Sequence, residues 1–141
     1  LGKLTYVGIA LRQLILTKHH SCEVILDDTI HMHFDNFYFV TVMLHKYEGG
    51  GFKFCPRANY TDGLLDVCVI NNIHWLRALC ILPTAFSGKH VRFNGISTYQ
   101  AKKVTIISEV PLPVHADGES CGMQDKITMT QEDKRLRMII K

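Results

Sequence analysis

Gly49-Gly50-Gly51-Phe52-Lys53-Phe54-Cys55-Pro56-Arg57-Ala58-Asn59-Tyr60-Thr61-Asp62-Gly63-Leu64-Leu65-Asp66-Val67 is the stretch from which the rest of the chain is best read. Three consecutive glycines let the backbone take positive φ and approach another group closely, which a loop carrying side chains could not do. Asp62-Gly63 before an apolar run reads as a turn with a carboxylate at its bend, and Leu64 to Ile70 as the strand that follows. A phosphate cradle would need a helix N-terminus, or a Lys with a Ser or Thr, just after the glycines. Neither is present, so the loop is not a P-loop.

On the N-terminal side, Phe37 to Leu44 is almost continuously apolar and rich in β-branched and aromatic residues, as a central strand covered on both faces would be. Before it, Cys22 to Asp28 and Thr29 to Phe34 read as two short strands with the turn at Asp27-Asp28. His31 and His33 fall on one face of the second strand, and nothing else is placed to complete a metal site there, so a polar strand face is expected. Leu1, Leu4, Leu11, Leu14 and Ile15 recur at helical spacing and predict an amphipathic helix at the start.

On the C-terminal side, Asn71 or Asn72 is suited to cap a helix carrying Trp75, Leu76, Leu79 and Leu82, which Pro83 ends or kinks. A short basic connection, Ser87 to His90, leads to a strand over Thr98 to Ser108. Pro111 and Pro113 mark a loop, Val114 to Ala116 leads to a tight turn at Asp117-Gly118, and Ile127 to Thr130 and Leu136 to Ile140 close the chain as strands. Many short strands with two helices predict a mostly β domain, a sandwich.

With 141 residues the chain suffices for one domain with its own core, taken as residues 1–141. An apolar fraction of 47% with 21% charged residues is ordinary for a globular protein, and no apolar run is long enough to span a bilayer. Five cysteines without a Cys-x-x-Cys pair argue against a disulfide framework and a zinc site and imply a reducing, cytoplasmic setting. The formal charge of +3 is mild; it favours contact with an anionic membrane surface, though a featureless surface is the commoner meaning. The first residue, Leu1, is no initiator methionine and the sequence after it already reads as structured, so a piece of a longer protein is expected.

The triple glycine, Pro56-x-Ala58, Asp62-Gly63-Leu64-Leu65-Asp66-Val67 and Pro113-Val114-His115-Ala116-Asp117-Gly118-Glu119 occur in that order. Together they resemble the C-terminal half of the diacylglycerol kinase family of lipid kinases, which includes sphingosine kinases and soluble bacterial enzymes, over nearly the whole chain. The resemblance implies the β-sandwich of the NAD kinase and diacylglycerol kinase-like fold, ATP as co-substrate, magnesium, and a lipid alcohol as phosphoryl acceptor. It places the general base at Glu119, with Asp117 supporting the base or a magnesium. It places a structural magnesium at the Asp62 carboxylate with the carbonyls of Asn59 and Leu64, and Gly49, Gly50 and Gly51 along the cleft facing the nucleotide. A departure from the family's pattern lies just before the glycines, where an asparagine is common and this chain has His45-Lys46-Tyr47-Glu48.

The family's Gly-Gly-Asp-Gly phosphate loop is nowhere in these residues, so the nucleotide-binding domain is expected elsewhere and this piece is expected to be inactive alone. A transient membrane surface and a homodimer are further expected partners; nucleic acid is not. Two other readings stand beside this one: a non-catalytic lipid-binding or interaction module on the same sandwich, and a kinase of a soluble nucleotide such as NAD. Read without the resemblance, Asp62-Gly63 is a plain turn and Asp117-Gly118-Glu119 a hairpin tip with solvated carboxylates.

Overall fold

A computed structural model describes residues 20–132. The helix expected over Leu1 to Lys18 and the strand expected over Leu136 to Ile140 lie outside the described residues. Six strands follow in chain order: β1 (His20–Leu26), β2 (Ile30–Met43), β3 (Leu65–Asn71), β4 (Ile96–Ala101), β5 (Lys103–Ala116) and β6 (Glu119–Thr130). Between β3 and β4 lie the helix α1 (Trp75–Ile81) and two 3₁₀ turns, Leu82–Ser87 and Lys89–Arg92. All pairings are antiparallel, in the spatial order β4-β3-β2-β1-β5-β6.

That order conflicts with a flat sheet. Only Lys102 separates β4 from β5, although three strands lie between them in the sheet. Flat spacing would hold them about 19 Å apart, whereas two residue steps reach at most about 7 Å. The sheet therefore curls until its β4 edge returns beside the start of β5. Its concave side is filled by Cys22, Val24 and Leu26 of β1, Phe34 and Phe37 of β2, Leu65, Val67 and Val69 of β3, Ala101, and Val104 and Ile106 of β5.

The corner is held by the β1–β2 turn, which adjoins the start of β5. Asp27 Oδ1 accepts the backbone N–H of both Lys102 and Lys103 at 2.9 Å, and the Asp27 N–H donates to the Lys103 carbonyl at 2.9 Å. Asp27 and Asp28 both take positive φ, 51° and 58°, which their short polar side chains tolerate. The Asp27-Asp28 turn thus forms where the sequence places it, and its first carboxylate also pins the sheet closure.

The second layer lies on the outer face of β3. Val67 and Val69 point into the sheet's core while Cys68 packs outward with Met43, Cys55, Ala58, Ile73, Ile81 and Ile96. The strand covered on both faces is therefore β3. Phe37 to Met43 is the second half of the single long strand β2, which ends one residue before Leu44 and whose Phe39 remains partly exposed. A bulge between Phe37 and Phe39 joins the two stretches that read as separate strands.

Other boundaries move for local reasons. His74, not Asn71 or Asn72, caps α1, its Nδ1 accepting from the Leu76 N–H at 3.4 Å; Asn72 is left-handed (φ 50°) and paired to Asn36. Thr98 to Ser108 is two strands, broken at Lys102 where the corner forms. Pro111 and Pro113 lie inside β5, not in a loop. Pairing of β5 with β1 ends at Ser108, so both prolines fall where β5 keeps one partner strand and a missing N–H is tolerated. The fold class stands as expected: mostly antiparallel β, with one α-helix among the described residues.

Removing the clamp tests the closure. Asp27→Ala should lower stability by about 1–2 kcal/mol, the usual loss when a carboxylate capping backbone N–H groups is deleted. Asp27→Asn, which keeps an acceptor and tolerance of the left-handed turn, should lose clearly less, as read from urea midpoints. Equal midpoints for wild type and Asp27→Ala would mean that the corner closes without the carboxylate.

Candidate active site

Three loops carry the residues singled out in the sequence, and strand direction brings them to one end of the sheet. Phe34 of β2 and Ser108 of β5 both face Cys22, on opposite sides of β1, and the two strands run in the same direction from there. Met43 lies nine residues beyond Phe34 and Ala116 eight beyond Ser108, at matching heights. Met43 leads to the glycine turn and pairs with Asp66, just after the Asp62 turn; Ala116 leads to Asp117-Gly118-Glu119. No hydrogen bond or ion pair among the described residues joins the three loops directly.

The glycines form the tip of a small hairpin. Glu48 N–H donates to the Phe52 carbonyl at 2.9 Å and Phe52 N–H returns to Glu48 at 3.2 Å, while Gly50 and Gly51 take φ of 46° and 92°. A Cβ at Gly49 or Gly51 would meet nothing described within 4 Å. The turn's backbone conformation requires glycine here; close approach to a described neighbour does not.

Asp62 sits in a turn built almost wholly from local side-chain bonds. Asn59 Oδ1 accepts the Thr61 N–H at 3.1 Å and the Thr61 hydroxyl at 2.7 Å, and the Asn59 carbonyl accepts the Asp62 N–H at 3.2 Å. Asp62 Oδ1 then accepts the Leu64 N–H at 2.9 Å, so Asp62 does cap its own turn. Its Oδ2 meets no described group. Among the described residues no three His, Cys, Asp or Glu side chains gather as a metal site. A cation here would rest on one carboxylate oxygen and main-chain carbonyls, an all-oxygen set that fits a hard ion retaining several waters. His31 and His33 each lie against their own carboxylate, Glu23 at 2.8 Å and Asp35 at 3.2 Å.

Asp117 and Glu119 occupy the tip of the β5–β6 hairpin. Asp117 and Gly118 take φ of 50° and 85°, the left-handed pair of a tight hairpin turn, and Glu119 opens β6 opposite Ala116. Both carboxylates are exposed and neither has a hydrogen-bond partner among the described residues.

Gln100 and His90 escaped the sequence reading, whereas Asp66, alternating into the strand after its turn, reads as structural from the sequence and is so. Asp66 is buried between the two layers, where Gln100 Nε2 donates to its carboxylate oxygens at 3.2 and 3.3 Å. Burial pushes the Asp66 carboxyl above its usual range; the Gln100 bond opposes this and the Asp62 charge adds to it. With Cys55, Arg57, Thr98 and Tyr99, Asp66 and Gln100 line a cavity of about 130 Å³. An acid inside an otherwise apolar strand is the signal for Asp66; Gln100 needed the β3–β4 register. His90, read as part of a basic connection, is 1% exposed and its Nε2–H donates to the Phe54 carbonyl at 3.2 Å. Burial holds its pKa below the ordinary histidine value, partly offset by that carbonyl. Burial also pushes the thiols of Cys22 and Cys68 up to about 11 and about 12, so they are inert as nucleophiles near neutral pH.

A curled antiparallel sheet with oxygen-bearing loops at one end defines the class: a β-sandwich-like domain that offers carboxylates rather than thiols or imidazoles. The model of the YegS C-terminal NAD kinase beta sandwich-like domain matches residues 1–138, and the chain belongs to that family. It is 33% identical over 89 residues to a Bacillus subtilis protein named "Putative lipid kinase YtlR", covering 63% of this chain and 29% of that one. It is 38% identical over 82 residues to a Mycobacterium tuberculosis protein named "Diacylglycerol kinase", covering 57% of this chain and 26% of that one. The crystal structure of a diacylglycerol kinase from Bacillus anthracis str. Sterne superposes with a TM-score of 0.62 at 22% identity, over 94% of this chain and 48% of that one, which establishes the shared fold. The matches thus span less than half the length of each of these relatives.

His90 yields a pH prediction with a definite sign. Its folded pKa is depressed, so the unfolded chain binds the proton first as pH falls below about 6.5, and stability is lost in that direction. Asp66, raised instead, acts oppositely and nearer the carboxylate range. Urea midpoints should fall from pH 7 to pH 5, and His90→Gln, which retains a donor for Phe54, should flatten that slope. An unchanged slope in the variant would show that His90 does not carry it.

Proposed function

We propose that this chain is the C-terminal, acceptor-side domain of an ATP-dependent lipid kinase that phosphorylates the hydroxyl of diacylglycerol or a related lipid. The observation that carries this reading is the convergence of the glycine turn, the Asp62 turn and the Asp117–Glu119 tip on one end of the sheet. The names of the relatives support the lipid as acceptor.

In this reaction the lipid oxygen forms a bond to the γ-phosphorus, the β–γ bridging P–O bond breaks, ADP leaves, and the hydroxyl proton passes to a carboxylate. Glu119 takes that proton on a side-chain oxygen. Its exposed position at a hairpin tip leaves it open to a substrate. Asp117, across a tight turn, is a positioning residue for Glu119, and Gly49 to Gly51 form the wall of the cleft on the nucleotide side. Asn59, Asp62 and Leu64 would hold magnesium, whose charge would tie the turn before β3 to the sheet. ATP binds mainly to another domain of the full-length protein, which works in the cytoplasm at the membrane surface, and the present residues alone are inactive.

In the full-length enzyme Glu119→Gln keeps shape and hydrogen bonding but cannot accept the proton. It should lower kcat by about 10²–10⁴ while leaving ATP binding and Tm nearly unchanged. Asp62→Asn should instead lose activity together with Tm, part of which excess Mg²⁺ restores by mass action. Near wild-type turnover of a lipid by Glu119→Gln would remove Glu119 as the base and favour a non-catalytic hairpin tip.

A further inference from the structure

Beside the glycine turn lies an aromatic surface with no part in the chemistry above. Phe52, which closes that turn, stacks on Phe86 at 4.3 Å and on Phe54 at 5.6 Å, and Phe54 meets Phe39 edge-on at 5.3 Å. Phe86 is 51% exposed, as is Tyr47 on the strand side of the turn. A core side chain of this size would be covered. Here the exposed rings stand on a well-fixed frame: Lys53 N–H donates to the Ala85 carbonyl at 2.9 Å, and Gly88 packs against Pro56 and Lys53.

Lysines stand on both sides of these rings. The segment that supplies Phe86 and Lys89, residues 67–108, contains no Asp or Glu. Lys53 Nζ lies 5.2 Å from the centre of the Tyr47 ring, and Lys89 follows Gly88 directly at the other side of the patch. Glu48, at the base of the glycine turn, is the acid nearest in sequence. Exposed aromatic rings fringed by lysines match the headgroup region of an anionic bilayer, where rings enter the interface and ammonium groups meet phosphates.

We propose that the face formed by Phe52, Phe86, Tyr47, Lys53 and Lys89 docks the protein on an anionic membrane, with the glycine turn and the end of the sheet turned to the bilayer. This rests on the lipid-kinase reading for its purpose but not for its physics. A lipid acceptor must be collected from a bilayer, and the patch adjoins the loop assigned to the cleft wall. A mostly apolar partner surface would leave Lys53 and Lys89 without anionic partners.

The test is sedimentation of full-length protein with phosphatidylcholine vesicles containing about one-third phosphatidylglycerol, without diacylglycerol or ATP, so that kinase activity does not enter the readout. Binding is expected to the anionic vesicles, to weaken with added salt, and to be weak on pure phosphatidylcholine. Phe86→Glu with Lys89→Glu should reduce the bound fraction at least about tenfold, and Lys89→Glu alone, which keeps the aromatic stack, should reduce it less. Lys126→Glu, the same charge change on β6, should leave binding unchanged. The proposal is overturned if wild type does not bind, if the double variant binds as well as wild type, if Lys126→Glu weakens binding equally, or if the double variant changes oligomeric state instead of vesicle binding.

Discussion

The structure depends on a contact between residues far apart in sequence: the Asp27 carboxylate on the backbone N–H groups of Lys102 and Lys103. The single residue between β4 and β5 forces the sheet to curl, and a corner that tight exposes backbone donors that need an acceptor. Asp27 supplies it from the β1–β2 turn, on a strand that already pairs with β5. Closure then gives Val67, Val69 and Val104 a common interior, and β3, covered also by α1 and the 3₁₀ turns, becomes the strand buried on both sides. The alignment of β2 with β5 across β1 sets the three candidate loops at one end.

Features decided by nearest neighbours in sequence were legible. Asp117-Gly118 gave a turn because two successive left-handed residues favour that pair, and Leu64 to Ile70 gave a strand displaced by one residue. The class, mostly β, followed from many short apolar runs. What was hidden depended on register and closure. Nothing in Gln100-Ala101-Lys102-Lys103 announces that an apparently continuous strand must break, since the reason is Asp27, dozens of residues away. Pro111 and Pro113 reads as a loop until the end of pairing between β5 and β1 at Ser108 is known. His90 looked like a member of a basic connection because its carbonyl partner, on Phe54, lies on another loop.

The carboxylates divide by environment. Asp66 is buried, with a raised pKa and an amide partner, and so contributes to the packing between layers. Asp117 and Glu119 are exposed, at a turn whose backbone geometry sets their relative placement. Asp62 lies between these extremes, one oxygen engaged by its own turn and the other meeting no described group. The same residue type thus supplies a structural buried acid, a half-engaged turn carboxylate and exposed carboxylates at a hairpin tip. The chain shares this fold with a solved structure named as a diacylglycerol kinase, and in such folds function rests on the site rather than on the architecture.

The central claim is that the hairpin tip and the Asp62 turn are held at one end of a closed sheet. Spin labels at Tyr60 and Ser120, in a background where the exposed Cys80 and Cys121 are serine, measure their separation directly by pulsed dipolar spectroscopy. The account predicts one narrow distance distribution, broadened when Asp27→Ala loosens the corner. A broad distribution in the otherwise native chain, or one indifferent to Asp27, would contradict it.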